Sequence, residues 1–301
     1  MIELKNEKIA IPVVLIAGLL WSFGPLVVRH MNEPNLVPWQ YIFVRGLTIF
    51  LVINFYLFFE EGNDFYKNYF KIGISGIIGG TGLGIAMITF IYSITNTSAA
   101  ITLLCLAAMP FFTALLGFLF LKEKISINVW VSIFIATIGI AIIAIGNTEK
   151  NSLLGFIFGI TSSIGFSVFS VTLRWKKETP KFTTVAYAGF LCFVVAAIVI
   201  YKNDMSYLST SYNSALFSVH GTLVCIGLIL YSIGSKAIPA AELTLLSLME
   251  VIGGIFWVWL PILGINEIPS TNTIIGGFFL FMSIIYYSLT IKTNRRFIAL
   301  N

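Results

Sequence analysis

Long runs of apolar residues alternate with short polar connections along the whole chain. Ten runs are predicted to span a membrane, and they cover residues 9–28, 39–59, 72–94, 98–121, 129–145, 153–173, 183–201, 214–235, 240–260 and 272–291. An α-helix needs about 20 apolar residues to cross a hydrocarbon layer of roughly 30 Å. The runs are continuously apolar and do not alternate residue by residue, which excludes a membrane β-barrel. The pattern therefore predicts an all-α membrane protein with ten transmembrane helices.

The composition agrees with this pattern. The chain is 58% hydrophobic and 10% charged, whereas a soluble domain has about 25% charged residues. The first run lacks a short apolar region followed by a small-residue cleavage site, so we expect a retained helix and not a removable signal peptide. None of the connections is long enough to fold as a separate domain.

Basic residues fall mainly on one side of the predicted membrane. All Lys and Arg lie on the side of the amino terminus except Arg29, Lys150 and Lys202, which lie on the opposite side, and Arg45, which lies within a span. Since cytoplasmic connections are enriched in Lys and Arg, both termini are predicted to be cytoplasmic, in what we expect to be a bacterial cytoplasmic membrane. The net charge of +5 follows from this bias, and basic residues near the surface attract anionic lipid. This distribution of basic residues explains the net charge, so no nucleic-acid partner is predicted.

The ten spans divide into two sets of five, residues 1–147 and 148–301. An odd number of spans per set means that the second set crosses the membrane in the opposite direction, as in an inverted repeat. Two sequence similarities support this division. GLLWSFG at 18–24 parallels GITSSIG at 159–165, and SAAITLL at 98–104 parallels PAAELTLL at 239–246. An inverted repeat predicts a binding site near the midplane, where the halves meet.

Glu250 is the most unusual residue of the spans, because the sequence LTLLSLMEVIGGIF at 243–256 is otherwise apolar or small. It lies roughly 16 Å into its helix, close to the midplane. An ionisable side chain at that depth costs about 2.5–3.5 kcal/mol and is usually functional. Glu250 is predicted to contact substrate or to exchange a proton. A hydrogen-bonded glutamate that ties two helices together is the alternative.

Three further residues are candidates for the same site, each with a structural alternative. Arg45 either extends outward to the membrane surface or faces a cavity, where it would bind a carboxylate or pair with Glu250. His220 titrates between pH 5 and 8 unless perturbed, so it is a candidate for proton coupling or a packing histidine. Trp21 lies too deep for an aromatic belt, and it either lines a ligand cavity or packs in the core.

A resemblance to a known family rests on four segments: GLLWSFGPLVVR, FVRG, TSAAITLLCLAAMPFFTALLGFLFLKEKIS and PAAELTLLSLMEVIGGIFWVWLPILGINEIPS. They resemble the ten-helix branch of the drug/metabolite transporter superfamily, whose members carry two EamA-type halves. Pro110 and Glu123 match its first-half pattern, and Glu250 and Glu267 match the second. Val251 stands where proline is usual. The resemblance implies that spans 1–4 and 6–9 surround a central cavity, with spans 5 and 10 peripheral, and that one half rocks against the other.

The glycine run GIIGGTGLG at 76–84 resembles a nucleotide loop, but it lies inside a span and lacks the GK[ST] ending. Gly76, Gly80 and Gly84 instead predict close helix packing. The cysteines Cys105, Cys192 and Cys225 fit neither a metal site nor a disulfide framework, so no cofactor or metal is predicted.

These features predict a secondary-active transporter for a small organic metabolite, with the lipid bilayer as its surroundings and a coupling proton as a further candidate partner. An amino acid or similar zwitterion would use both Arg45 and Glu250. Organic cations, including quaternary ammonium compounds or drugs, are the alternative, because a carboxylate among aromatic rings attracts them. A membrane-embedded enzyme is the alternative from another class, but the chain has no HExxH or GxSxG motif and no close acid pair within a span.

Overall fold

A computed structural model describes residues 6–97, 99–145, 153–176, 178–265, 268 and 270–298. All regular structure in these residues is helical. The helices are α1 (Glu7–Trp21), α2 (Phe23–His30), α3 (Pro38–Glu61), α4 (Lys67–Phe70), α5 (Gly73–Asn96), α6 (Ala99–Leu106), α7 (Met109–Leu116), α8 (Ile127–Ile145), α9 (Leu153–Trp175), α10 (Lys181–Lys202), α11 (Ser211–Gly234), α12 (Ala240–Ser247), α13 (Met249–Trp259) and α14 (Thr271–Ile298).

Seven helical segments within the described residues are long and apolar enough to cross a membrane. They are Glu7–His30, Pro38–Asp64, Gly73–Asn96, Leu153–Trp175, Lys181–Lys202, Ser211–Gly234 and Ala240–Trp259. The other three predicted spans coincide with shorter apolar helices, Met109–Leu121, Ile127–Ile142 and Ile274–Thr290. An all-α membrane protein is therefore confirmed. The boundary between the predicted halves, Lys150 and Glu267 lie outside the described residues.

Prolines explain two interruptions in the long helices. A proline inside a helix lacks the N–H that would bond to the carbonyl four residues earlier, and its ring collides with that carbonyl. Four residues before Pro25 is Trp21, where α1 ends, and four residues before Pro110 is Leu106, where α6 ends. Each helix resumes within a few residues as α2 or α7.

A third interruption lies in the predicted second half and occurs without a proline. α12 and α13 are separated at Leu248, although Val251 occupies the position that corresponds to Pro110. The Leu248 N–H bonds to the Leu245 carbonyl at 3.2 Å, which is the tighter i to i+3 pattern. α9, by contrast, is continuous, because Phe166 replaces the proline that interrupts the corresponding segment of the first half.

Serines of α9 satisfy backbone groups around the first-half interruption. Ser163 Oγ donates to the Cys105 carbonyl, and Ser167 Oγ donates to the Met109 carbonyl at 3.2 Å. Non-helical backbone at membrane depth is tolerated only when its polar groups find such partners. The serines thus stabilise the discontinuous pair α6 and α7.

The strongest packing joins helices of the two predicted halves: α5 with α9, α3 with α10, α8 with α14, and α1 with α11. Small residues allow these close approaches. A Cβ on Gly80 would lie 2.9 Å from the Thr184 carbonyl of α10, and one on Gly82 would lie 2.8 Å from the Gly165 carbonyl of α9. The predicted packing role of the glycine run is therefore confirmed. α8 and α14 pack mainly on each other, away from the remaining helices.

Candidate functional site

A cavity of about 510 Å³, part of it open to solvent, lies between the helices. It is lined from α1, α3, α5, α6, α7, α9, α11 and α13, and therefore from both predicted halves. All four residues predicted from the sequence are on its wall. The full lining is Trp21, Arg45, Leu83, Ala86, Met87, Phe90, Leu106, Met109, Ser162, Phe166, His220, Val224, Leu228 and Glu250.

Arg45 lies seven residues into α3, about 10 Å from the start of the helix. Its side chain is 6% exposed, so it does not extend to the membrane surface. The guanidinium carbon lies 5.7 Å from the centre of the Phe90 ring, a cation–π distance. Nε and Nη1 are buried and have no hydrogen-bond partner among the described residues. The sequence left two placements of Arg45 open, and in the structure Arg45 lines the cavity.

Glu250 is the second residue of α13, directly after the interruption at Leu248. A carboxylate in the first turn of a helix is stabilised by the positive end of the helix dipole. Glu250 is 8% exposed and lines the cavity. It lies close enough to Arg45 to interact electrostatically, but no ion pair joins the two in the part of the chain that the structure describes. The cavity thus holds a guanidinium and a carboxyl group that are not in direct contact.

His220 is buried on α11, and its Nδ1 shares a hydrogen bond with the hydroxyl of Tyr41. Tyr41 itself stacks on Phe217 at a ring distance of 4.7 Å. The opposite side of the imidazole meets α2, where a Cβ on Gly24 would lie 3.1 Å from Nε2. His220 is therefore a packed histidine that also lines the cavity.

Trp21 is the last residue of α1, and it is 5% exposed. Its Nε1 donates to the Val224 carbonyl of α11 at 3.2 Å. The ring also contacts Phe166 and Tyr231. Both sequence interpretations of Trp21 thus apply, because it packs against α11 and lines the cavity.

Ten of the fourteen lining residues were missed by the sequence analysis, and three of them are Met109, Ser162 and Phe166. A signal for two of them was present. In the alignment of the two halves, Ser162 corresponds to Trp21 and Met109 corresponds to Glu250. Each pair of corresponding positions therefore lines the same cavity, one from each predicted half. Phe166 corresponds to Pro25, which does not line it.

A second charged cluster lies outside the cavity, at the end of the bundle predicted to be cytoplasmic. Arg174 Nε donates to Glu123 Oε1 at 2.6 Å, and Nη1 donates to the carbonyls of Ser235 and Ile238 at 2.9 and 2.8 Å. Glu123 Oε2 accepts from the Ala240 N–H at 3.3 Å. The cluster connects the segment after α7 with α9 and with the α11–α12 connection.

Among the residues that the structure describes, no group of three or more His, Cys, Asp or Glu side chains is placed to hold a metal ion. The three cysteines are buried and unbridged.

Two proteins with similar sequences are named as transporters. Two proteins from Helicobacter pylori, strains J99 / ATCC 700824 and ATCC 700392 / 26695, are both named "Uncharacterized transporter". The first is 28% identical over 171 residues, 56% of each chain, and the second is 26% identical over 203 residues, 66% of each chain. The matched regions thus span less than two thirds of either relative.

A solved structure described as "Crystal structure of protein" superposes with a TM-score of 0.75 at 15% identity, covering 96% of this chain and 99% of the other. At that identity the similarity shows the fold alone. The profile of the EamA-like transporter family matches residues 8–145. The family and the two relatives are described as transporters, not as enzymes. Over residues 8–145, the chain is similar to the EamA-like transporter family.

Proposed function

We propose that the protein is a secondary-active transporter that moves an amino acid or a similar zwitterion across the cytoplasmic membrane by alternating access. One observation carries the proposal: an arginine and a glutamate line one membrane-embedded cavity, and neither has a charged partner in contact among the described residues. The transporter class is supported independently by the family match and by the names of the relatives.

Two inverted five-helix repeats, residues 1–147 and 148–301, are part of this proposal. Interruptions occur at corresponding places, at residues 107–108 and at Leu248, each after an eight-residue helix. Contacts are also paired: α3 meets both α10 and α11, and α10 meets both α3 and α5. Discontinuous helices at the interface of two repeats are the usual sites of substrate and ion binding in secondary transporters. Rocking of one half against the other would expose such a site to each side in turn.

A zwitterionic substrate is favoured because burying Arg45 and Glu250 without a charged partner in contact, among the described residues, costs free energy. A buried guanidinium with unpaired N–H groups carries a desolvation penalty that a ligand carboxylate would offset through two parallel hydrogen bonds. Glu250 would bind the ammonium group of the same ligand. An organic cation would bind to Glu250 but would be repelled by Arg45 in the same cavity, so the zwitterion is favoured.

A coupling proton is the second ligand that we propose for Glu250. A carboxylate near the midplane can exchange a proton as the cavity opens to either side, and intramembrane acids commonly serve as proton relays. The charge bias supports an orientation with both termini in the cytoplasm.

The test uses purified protein in proteoliposomes and three related ligands: an amino acid, its amide, which lacks the carboxylate, and its N-acetyl form, which lacks the ammonium. Arg45→Gln is expected to weaken binding of the amino acid by about 10-fold to 100-fold, because a hydrogen bond to a charged group contributes about 1.5–3 kcal/mol. The same variant should not weaken binding of the amide and should strengthen it, because the amide is a cation that Arg45 no longer repels. Glu250→Gln should show the opposite selectivity, weakening binding of the amino acid but not of the N-acetyl form.

Arg174→Gln is the matched control, since Arg174 is a partly buried arginine outside the cavity. A folded Arg45→Gln protein with unchanged affinity for the amino acid would contradict the proposal. Tighter wild-type binding of the amide than of the amino acid would instead support transport of organic cations. Uptake by Glu250→Gln protein with an unchanged pH dependence would exclude the coupling role of this residue.

A further inference from the structure

Trp21 is held against α11 so tightly that α11 needs a glycine beside it. The indole N–H bonds to the Val224 carbonyl at 3.2 Å. A Cβ on Gly227 would overlap Nε1 of the indole and would lie 2.7 Å from Cδ1. The space that a side chain at position 227 would occupy is therefore filled by the tryptophan ring. Any larger residue at 227 would push the ring away from α11.

Two further aromatic rings pack against Trp21. Phe166 and Tyr231 lie 5.4 and 5.3 Å from Trp21, and 5.3 Å from each other, so the three rings are in mutual contact. The Tyr231 hydroxyl bonds with Ser170 Oγ at 2.7 Å, and Ser170 Oγ donates to the Phe166 carbonyl at 2.9 Å. Trp21 and Phe166 line the cavity, whereas fully buried Tyr231 lies behind them. The wall is thus built of rings with little freedom to move.

This wall is separated from Arg45 along α11. A Cβ on Gly221 of α11 would lie 3.3 Å from the Cα of Arg45, whereas Trp21 packs at Gly227, six residues further along the same helix. Six residues of helix correspond to about 9 Å. A ligand whose carboxylate binds to Arg45 would direct its apolar part towards a region lined by Leu228, Phe166 and Trp21.

We propose that Trp21 determines the specificity of the cavity: its indole sets the maximum length of the apolar side chain that a bound zwitterion can carry, and Gly227 keeps the indole out of the cavity. The inference rests on the proposed function, because it takes the orientation of the ligand from Arg45. Trp21 touches the apolar end of the ligand, and the charged groups bind elsewhere.

The experiment measures Kd by calorimetry for a homologous series: alanine, 2-aminobutyrate, norvaline, norleucine and 2-aminooctanoate. For the wild type, affinity should rise by about fourfold per methylene while the chain fills apolar space, and should then fall at the length that meets the indole. Trp21→Ala should move this limit to longer ligands. Trp21→Phe should move it less, and this variant keeps an aromatic ring in the wall if the alanine variant does not fold.

Gly227→Ala should move the limit in the opposite direction, because the new Cβ displaces the indole into the cavity. In the Trp21→Ala background, Gly227→Ala should have no effect, since no ring remains to be displaced. Gly277→Ala is the matched control, because a Cβ at Gly277 would meet nothing within 4 Å. A general loss of stability from a larger residue in a helix would not reverse in this way when Trp21 is removed.

The outcomes separate this inference from the proposed function. If the wild type binds the series but the length limit is the same in both Trp21 variants, Trp21 does not determine specificity, and the zwitterion assignment stands. If the wild type binds no member of the series, the zwitterion assignment is wrong, and the inference about Trp21 is wrong with it. Opposite shifts in Trp21→Phe and Gly227→Ala support both.

Discussion

Two arginines inside the helical bundle differ in what surrounds them. Arg174 is held by the Glu123 carboxylate and by two backbone carbonyls, at 2.6 to 2.9 Å. Arg45 is more deeply buried, at 6% exposure, yet its Nε and Nη1 have no partner within the described residues. An arginine that only stabilised the fold would be expected to resemble Arg174, because unpaired buried donors cost free energy. The difference supports a structural role for Arg174 and our proposal that Arg45 binds a ligand.

The comparison also separates two kinds of evidence for a functional residue. Depth in the membrane is common to Arg45 and to structural residues such as Tyr231, which is fully buried and hydrogen-bonded to Ser170. Depth alone therefore does not distinguish function from packing. The unmet hydrogen-bonding capacity of Arg45, directed at a cavity that also contains Glu250, is the feature that does.

The largest expected effect on stability is that of Arg174→Ala. The change removes three hydrogen bonds and leaves Glu123 and two carbonyls with fewer partners. Breaking a buried ion pair costs about 3–5 kcal/mol, and the partial exposure of Arg174 and Glu123 lowers our expectation to about 2–3 kcal/mol. Unfolding of the purified variant in detergent, followed by intrinsic fluorescence, measures this loss. A loss of unfolding free energy smaller than that of an ordinary surface substitution would show that Arg174 contributes little to stability. Arg174 could then not serve as the structural arginine with which Arg45 is compared.

The sequence predicts the helices and the unusual charges well, for physical reasons. Membrane spans are recognised by their length and hydropathy, and Glu250 is conspicuous because an ionisable group is costly at that depth. Pro25 and Pro110 each mark a helix that ends four residues earlier, at Trp21 and at Leu106. That interruption follows from the missing N–H of proline and is readable in the sequence.

Long-range pairings were not predictable from one sequence. Arg174 and Glu123 are 51 residues apart, and Tyr41 and His220 are 179 apart. No local pattern specifies either pair. The interruption at Leu248 is a similar case, since it occurs without a proline, at a point where α12 packs closely against α1: a Cβ on Gly18 would lie 3.2 Å from the Ser247 carbonyl. Single-sequence reasoning identifies the charges but not their partners.

A smaller effect is expected for Glu123→Gln, which keeps the shape of the side chain and removes its charge. The amide oxygen can still accept from Arg174, so the variant should lose about 1 kcal/mol of unfolding free energy, less than Arg174→Ala. The same detergent unfolding measurement applies. Combining the two substitutions should cost less than the sum of the single effects, because both act on one interaction. Full additivity would mean that the two side chains stabilise the protein independently.

The smallest effect on stability is expected for Arg45→Met, although Arg45 is the most buried arginine among the side chains that the structure describes. Methionine has a similar length and no donors, so the variant removes a charge whose burial is unfavourable without creating a large void. We expect the free energy of unfolding to be unchanged or higher by about 1 kcal/mol, while binding of a zwitterion is lost. A destabilisation as large as that of Arg174→Ala would show that Arg45 is structural as well. Its unpaired N–H groups would then give no reason to assign it to a ligand.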